Sequence, residues 1–341
     1  MDPCDPVPMR NSRVPTAGLR ALAGAMRAAP VLVLVPMRLR VAATRAAVAL
    51  AMASMLLAAC TRTDEAPART AISGFLLEPQ LNEISGLAAS RRHPGTLWLH
   101  DDGGNPARLF AVGARGIRQA TFRVEGVNKT DWEDIAAFQL AGRNYLLLAD
   151  TGDNGGLRRT LQLHVIEEPK ALENGRLTPA WSIAFRWPDG PRDCEAVAVD
   201  ARRGQVLLVS KKREPPELFA LQLRPNDKGV QTARPLGRLA GVPQPTADDL
   251  RQRPQRARYD GHVTAADVSP DGRTLAVMTY RYLLFYPAVR GQGWGRAVAR
   301  KPEVRTLPWL PQAEAMGWTA DGQGVYATGE FVPAPVYRIR Y

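Results

Sequence analysis
Four glutamates stand at the heads of short apolar segments: Glu83 in "NEISGL", Glu133 in "DWEDIA", Glu195 in "CEAVAV" and Glu314 in "AEAMGW". Asp131 and Asp193 lie close to Glu133 and Glu195 in sequence, and Asp267 stands in a further such apolar segment, "VTAADV". The apolar segments that follow end in a second set of charges: Asp101, Asp102, Asp150, Asp153, Lys211, Lys212, Arg281 and Glu330. Carboxylates gathered at one place repel, by about 3 kcal/mol for a pair about 6 Å apart at an effective dielectric of about 20. A hard cation, protonation, or neighbouring Lys and Arg must balance them. Calcium takes oxygen ligands in irregular numbers, and "DTGDN" (150–154) is an oxygen-donor loop without the spacing of an EF-hand. The expected cofactor is Ca2+, with Glu83, Glu133, Glu195, Glu314, Asp150 and Asp153 as metal ligands. Asp101, Asp102, Lys211, Lys212, Arg281 and Glu330 are the expected ligand-binding set. The alternative role for each glutamate is to accept backbone N–H groups and fix neighbouring elements together. Gly-x-Ser-x-Gly, His-Glu-x-x-His and phosphate-loop motifs are absent from the sequence, so no catalytic residue is assigned.

Such residues act together only if the fold brings them together, and the sequence repeats. "NEISGLAASRRHPGTLWLHDDG", "WEDIAAFQLAGRNYLLLADTG", "CEAVAVDARRGQVLLVSKK", "VTAADVSPDGRTLAVMTYR" and "AEAMGWTADGQGVYATGE" each hold an apolar strand, a Gly-containing turn and a second apolar strand. Glu83, Glu133, Glu195, Thr264 and Glu314 mark the repeat, at intervals of 50, 62, 69 and 50 residues. Periods of this size signal a propeller or another array. Asp271-Gly272 and Asp321-Gly322 are hairpin turns. Each unit offers two further strands except the last, which is one short. "AISGFLLEP" (71–79) can supply the missing strand. The expected fold is all-β: a β-propeller of five four-stranded blades closed by an N-terminal strand. Six blades are the alternative if the charged segment 243–262, read as a surface loop, holds another. In this fold the first strand of each blade lines the central channel, so repeat-equivalent residues converge on one axis.

The remaining chain organisation is read from the N-terminus. Residues 46–59 are apolar and follow Arg38, Arg40 and Arg45, as in a signal peptide. They end in "LAAC", a lipobox-like sequence that makes Cys60 the expected lipidation site. Residues 1–59 are read as the signal-peptide region with Met37 as the expected start, 60–70 as a lipidated tether and 71–341 as the propeller. Removal of residues 1–59 takes seven Arg and two Asp from 45 basic and 33 acidic residues, leaving a net charge of +7. The basic residues are scattered and no recognition motif accompanies them, so nucleic acid is excluded as a partner. Of three cysteines only Cys194 would remain unmodified, so no intramolecular disulfide is expected.

"NEISGL", "DWEDIA", "DTGDN", "DCEAVAVD" leading to "VSK", "ADVSPDGR" leading to "TY", and the closing "EAM" together resemble a family of secreted bacterial β-propellers of largely unassigned function. The resemblance runs from Asn82 to the C-terminus, and some relatives carry esterase-like or phytase-like labels. Thr264, at an acidic position of the repeat, departs from a complete ring. By resemblance, the absence of Asp directly after Cys60 implies sorting to the outer membrane, facing the periplasm.

These readings lead to a lipid-anchored, monomeric envelope protein whose acidic funnel binds a cation and a small-molecule or protein ligand. The second reading is a metal-dependent hydrolase, acting on a phosphoester or nucleotide or on a glycosidic bond through the same carboxylates. The third is a scaffold with a purely structural channel. Fold alone does not separate them.

Overall fold
β-branched and aromatic residues alternate with small ones in segments of five to nine residues, and Gly or Asp-Gly turns divide them. That pattern suits a pleated strand buried on both faces. A computed structural model describes residues 69–226 and 229–341. It forms five antiparallel four-stranded blades, arranged as a five-bladed β-propeller. The signal-peptide region, Cys60 and nearly all of the tether lie outside the described residues.

The first blade comprises Ile84–Ala89, Thr96–Asp101, Arg108–Gly113 and Arg118–Val124. Trp132–Leu140, Arg143–Asp150, Leu161–Glu167 and Trp181–Arg186 form the second. The third holds Ala196–Asp200, Gln205–Val209, Glu217–Gln222 and Arg234–Arg238, and the fourth Val263–Val268, Thr274–Thr279, Tyr282–Pro287 and Glu303–Thr306. The short strands Gly175–Leu177 and Gln231–Thr232 add in parallel to the outer edges of the first and second blades.

The fifth blade comprises Ala313–Trp318, Gly324–Gly329 and Ala334–Arg340, with Thr70–Leu76 as its outer strand. The N-terminal strand therefore closes the ring, and an otherwise open sheet edge is covered. The segment 243–262 adds no blade. It is a loop holding the short helix Ala247–Gln252, capped reciprocally by Thr246 and Asp249. Asp260 pins this loop by pairing with Arg253 at 2.7 Å. Asp271 and Asp321 serve their turns: each accepts a hydrogen bond from a backbone N–H two residues on, and Gly272 and Gly322 take the left-handed conformation between them.

The core is divided among the seams. Trp98 and Trp132 pack between the first and second blades, Phe185 and Phe219 between the second and third, and Leu207 and Leu284 between the third and fourth. Trp318 and Phe285 fill the fourth seam, and Phe110 with Leu76 the closing one. Each such side chain contributes about 1.5–3 kcal/mol by burial. The stabilisation spreads round the ring instead of concentrating on the axis, so the axis is left to polar groups. Cys194 is buried between the second and third blades as a small apolar residue.

Candidate functional site
The first strands of successive blades neighbour one another in a closed ring. The second strand of each blade returns to the same end, where one hydrogen bond recurs. The amides of Asp102, Gly152, Lys211, Tyr280 and Glu330 donate to the carbonyls of Glu83, Asp131, Asp193, His262 and Gln312. This ladder sets the true equivalence of the repeats. Just after it, four of the five first strands carry a register shift, at Ser85, Glu133, Thr264 and Glu314. A bulge re-aims a side chain. Glu195 occupies the same place in the third blade.

The repeat position therefore reads Ser85, Glu133, Glu195, Thr264, Glu314, and the sequence alignment through Glu83 is shifted by two residues. Glu83 belongs with Asp131 and Asp193 and is exposed, holding Asn105 at 2.8 Å. The other three glutamates are buried, each about 5% exposed or less apart from Glu314 at 6%. The sequence signal for this shift was the apolar residue preceding each position: Ile84, Trp132, Cys194, Val263 and Ala313.

Two triads of carboxylates offer ligand atoms mutually within 4.8 Å: Asp102, Asp131 and Glu133, and Glu133, Asp193 and Glu195. Glu133 belongs to both. The second triad already has cations. Lys211 pairs with Glu195, and Lys212 Nζ lies 2.9 Å from Asp193 Oδ2. Lys211 thus turns inward, while Lys212 reaches the rim and Asn154. The members of the first triad have no Lys or Arg within 4 Å among the described residues.

Electrostatics follow from this placement. Burial, then the charges of Glu195 and Asp102, hold the Glu133 carboxyl well above the usual carboxylate range. Burial and the neighbouring Asp102 push Asp131 up to about 7. Glu195 is raised by burial against the pull of Lys211. Burial disfavours the Lys211 ammonium, but Glu195 and Glu314 outweigh it and raise its pKa. Glu314 is raised by burial and accepts from the Tyr280 hydroxyl at 2.6 Å. Glu330, bonded by Gln312, is pushed up to about 7 by burial and Glu314.

The first triad has a built cradle. A methyl group on Gly152 would collide with Glu133 Oε1 and Asp131 Oδ2, and one on Gly103 with Asp131 Oδ1. Only glycine leaves the oxygens room to converge. Three buried or half-buried carboxylates with no Lys or Arg within 4 Å among the described residues, and only more distant pulls from Lys129, Arg158 and Lys211, fit a hard divalent cation.

Other expected residues are used differently. Asp150 accepts from the amides of Thr130 and Asp131 and from Arg158 at 2.6 Å. Asp153 accepts from the amides of Leu157 and Arg158. Both organise the loop 151–158 and stand outside the two triads. Arg281 is turned to the loop acids Asp249 and Asp260, each at 3.4 Å. Asp101 is buried and pushed up to about 7 by desolvation, with Oδ1 unpartnered. Lys129, over the Trp132 ring, bonds the carbonyls of Asp101 and Asp102. His100, buried against Trp132, is held down to about 4 by burial and so stays neutral near pH 7.

Sequence reasoning assigned no role to Tyr280, Ser85 or Asp134. Asp134 is fully buried next to Glu133 in the chain. Its oxygens accept from the amides of Ile135 at 2.8 Å, Val197 at 2.8 Å and Ala266 at 3.2 Å, joining three blades. The only sequence signal was its place beside Glu133.

No protein-family model matches the chain, and no curated protein matches it. A solved structure described as "Structure of U3-55K" is similar over 76% of this chain and 68% of that one, at 12% identity and a TM-score of 0.36.

Proposed function
We propose that this chain is a cation-binding envelope β-propeller. Its acidic funnel holds one calcium-like ion between Asp102, Asp131 and Glu133, and presents that ion to an anionic or polar ligand. The convergence of these three carboxylates, with no Lys or Arg in direct contact among the described residues, supports this reading. Lys212, at the rim beside them, supplies an exposed ammonium that suits an anionic group bridged to the metal. Attachment to the envelope is through lipid on Cys60, supported by the "LAAC" sequence after an apolar segment.

The test is a calcium titration of chelator-treated protein spanning residues 61–341, followed by thermal unfolding. A ligand binding only the folded state stabilises it by about 2.7 kcal/mol at a hundredfold excess over Kd. The midpoint is expected to rise by several degrees in calcium and less in magnesium, which demands tighter octahedral geometry. Glu133→Gln is expected to remove the response. An unchanged midpoint in millimolar calcium overturns the reading.

A metal-dependent hydrolase is the second reading, supported by Asp131. A carboxyl pushed up to about 7 can take up and release a proton near neutral pH. Turnover of a generic phosphomonoester that is lost in Glu133→Gln would favour it over simple binding.

A further inference from the structure
The opposite mouth of the ring has a different chemistry. Each first strand runs away from the acidic end to a hairpin turn, and the five turns surround a pocket of about 400 Å³. The blades contribute Arg91, Gln139 with Asn144, Arg202 with Asp200, Ser269 and Ala320. This volume lies within the range of small-molecule sites. None of the residues lining it belongs to the carboxylate triads.

Arg91 dominates the pocket. Its Nε donates to the Ala137 carbonyl at 3.1 Å and its Nη1 to the Thr319 carbonyl at 3.4 Å. Its Nη2 has no hydrogen-bond partner among the described residues, and no carboxylate lies within 4 Å of the guanidinium there. The surrounding acids are otherwise engaged. Asp200 is held by Arg203 and the Trp294 indole, and Asp267 accepts from the Trp318 amide. Burial lowers the Arg91 pKa despite the more distant pull of Asp267 and Glu168. Arg91 is half-buried, and its Nη2 remains available to an anion entering the pocket. Arg202, exposed at the rim, bonds the Asp271 carbonyl and likewise has no ion pair among the described residues. Gln139 and Asn144 add amide donors.

We infer that this second mouth binds a small phosphate-class anion, either free phosphate or the phosphoryl group of a small metabolite. Arg91 forms the floor of the site and Arg202 its rim. Planar guanidinium groups match phosphate oxygens in paired hydrogen bonds. The site stands independently of the cation reading.

The experiment titrates the protein, in excess chelator and at constant ionic strength, with inorganic phosphate, glycerol phosphate or chloride, by calorimetry. Saturable 1:1 binding of phosphate or glycerol phosphate, without a chloride effect, is expected. Tighter glycerol phosphate binding identifies the source as a phosphorylated metabolite, and equal or tighter phosphate binding as the free ion. Loss of one charged hydrogen bond corresponds to about tenfold in affinity, so Arg202→Gln is expected to weaken binding by about that factor and Arg91→Gln to abolish it. Glu133→Gln, on the far mouth, should leave it intact. Because Arg91 also ties three blades, the exposed Arg202 carries the test if Arg91→Gln does not fold. Binding no stronger than chloride's, or unchanged in Arg202→Gln, overturns the inference.

Discussion

Ser85 Oγ donates to the Glu133 carboxylate at 3.1 Å and to the Glu133 carbonyl at 2.9 Å, across the seam between the first and second blades. The hydroxyl occupies the repeat position that carries glutamate in three other blades. A fourth glutamate there would add charge beside Glu133. Serine instead supplies a donor, and it leaves the other Glu133 oxygen facing Asp131 and Gly152. The acidic ring is thus asymmetric by construction, with one cation-poor triad at the first seam and lysine-balanced acids at the next.

The apo protein is expected to lose stability as pH rises from about 4 to about 7. Asp131 and Glu330 have ordinary values of 3.8 and 4.5 and are each raised to about 7 in the folded state. Between those limits the folded chain binds more protons than the unfolded one, so unfolding free energy falls with pH. Calcium competes with the Asp131 proton and should offset part of this loss as pH approaches about 7. Thermal unfolding across this range, with and without chelator, checks the sign. Apo stability that climbs through the same range would contradict it.

Gly152→Ala is expected to cost about 1–3 kcal/mol, the usual cost of forcing an added carbon into a filled space. It should also weaken the calcium response, because the new methyl group collides with Glu133 and Asp131. Gly155→Ala meets only the end of the Leu157 side chain at 3.4 Å and serves as control. Urea unfolding of the two variants should separate them clearly. Equal stabilities would mean the cradle is not as tight as the contacts require.

Removing residues 1–76 is expected to bare the edge of Ala334–Arg340 and expose the seam closed by Leu76, causing aggregation or a large loss of thermal stability. Removing residues 1–60 should not, because Thr70–Leu76 keeps its partners. Size-exclusion chromatography and thermal unfolding of both truncations decide this point.

Cys60→Ser in the full chain is expected to move the protein from the membrane fraction to the soluble one, since a lipidated cysteine supplies the acyl chains needed for stable anchoring. Retention with membranes after a salt wash would defeat the lipid-anchor reading.

Several features were legible in the order of residues. Blade count, strand alternation, the Asp-Gly turns and the closing role of "AISGFLLEP" follow from local rules: period-two burial, turn chemistry and the need to cover a sheet edge. The gathering of Glu133, Glu195 and Glu314 at one mouth follows from repetition, because equivalent positions in a ring must converge. The rest depended on tertiary structure. Whether Glu83 or Ser85 aligns with Glu133 turns on a bulge, and a two-residue shift preserves strand alternation, so side-chain periodicity is the same in both registers. Partner choice is equally non-local. Lys211 neutralises Glu195 from the adjoining strand, Arg281 is drawn to Asp260 in a loop, and Asp150 is consumed by Arg158. Asp134 reads in sequence as one more acid in "DWEDIA", yet it bonds amides 63 and 132 residues away. A carboxylate's role is set by which donors lie within hydrogen-bond reach, and that distance exists only once the ring has closed.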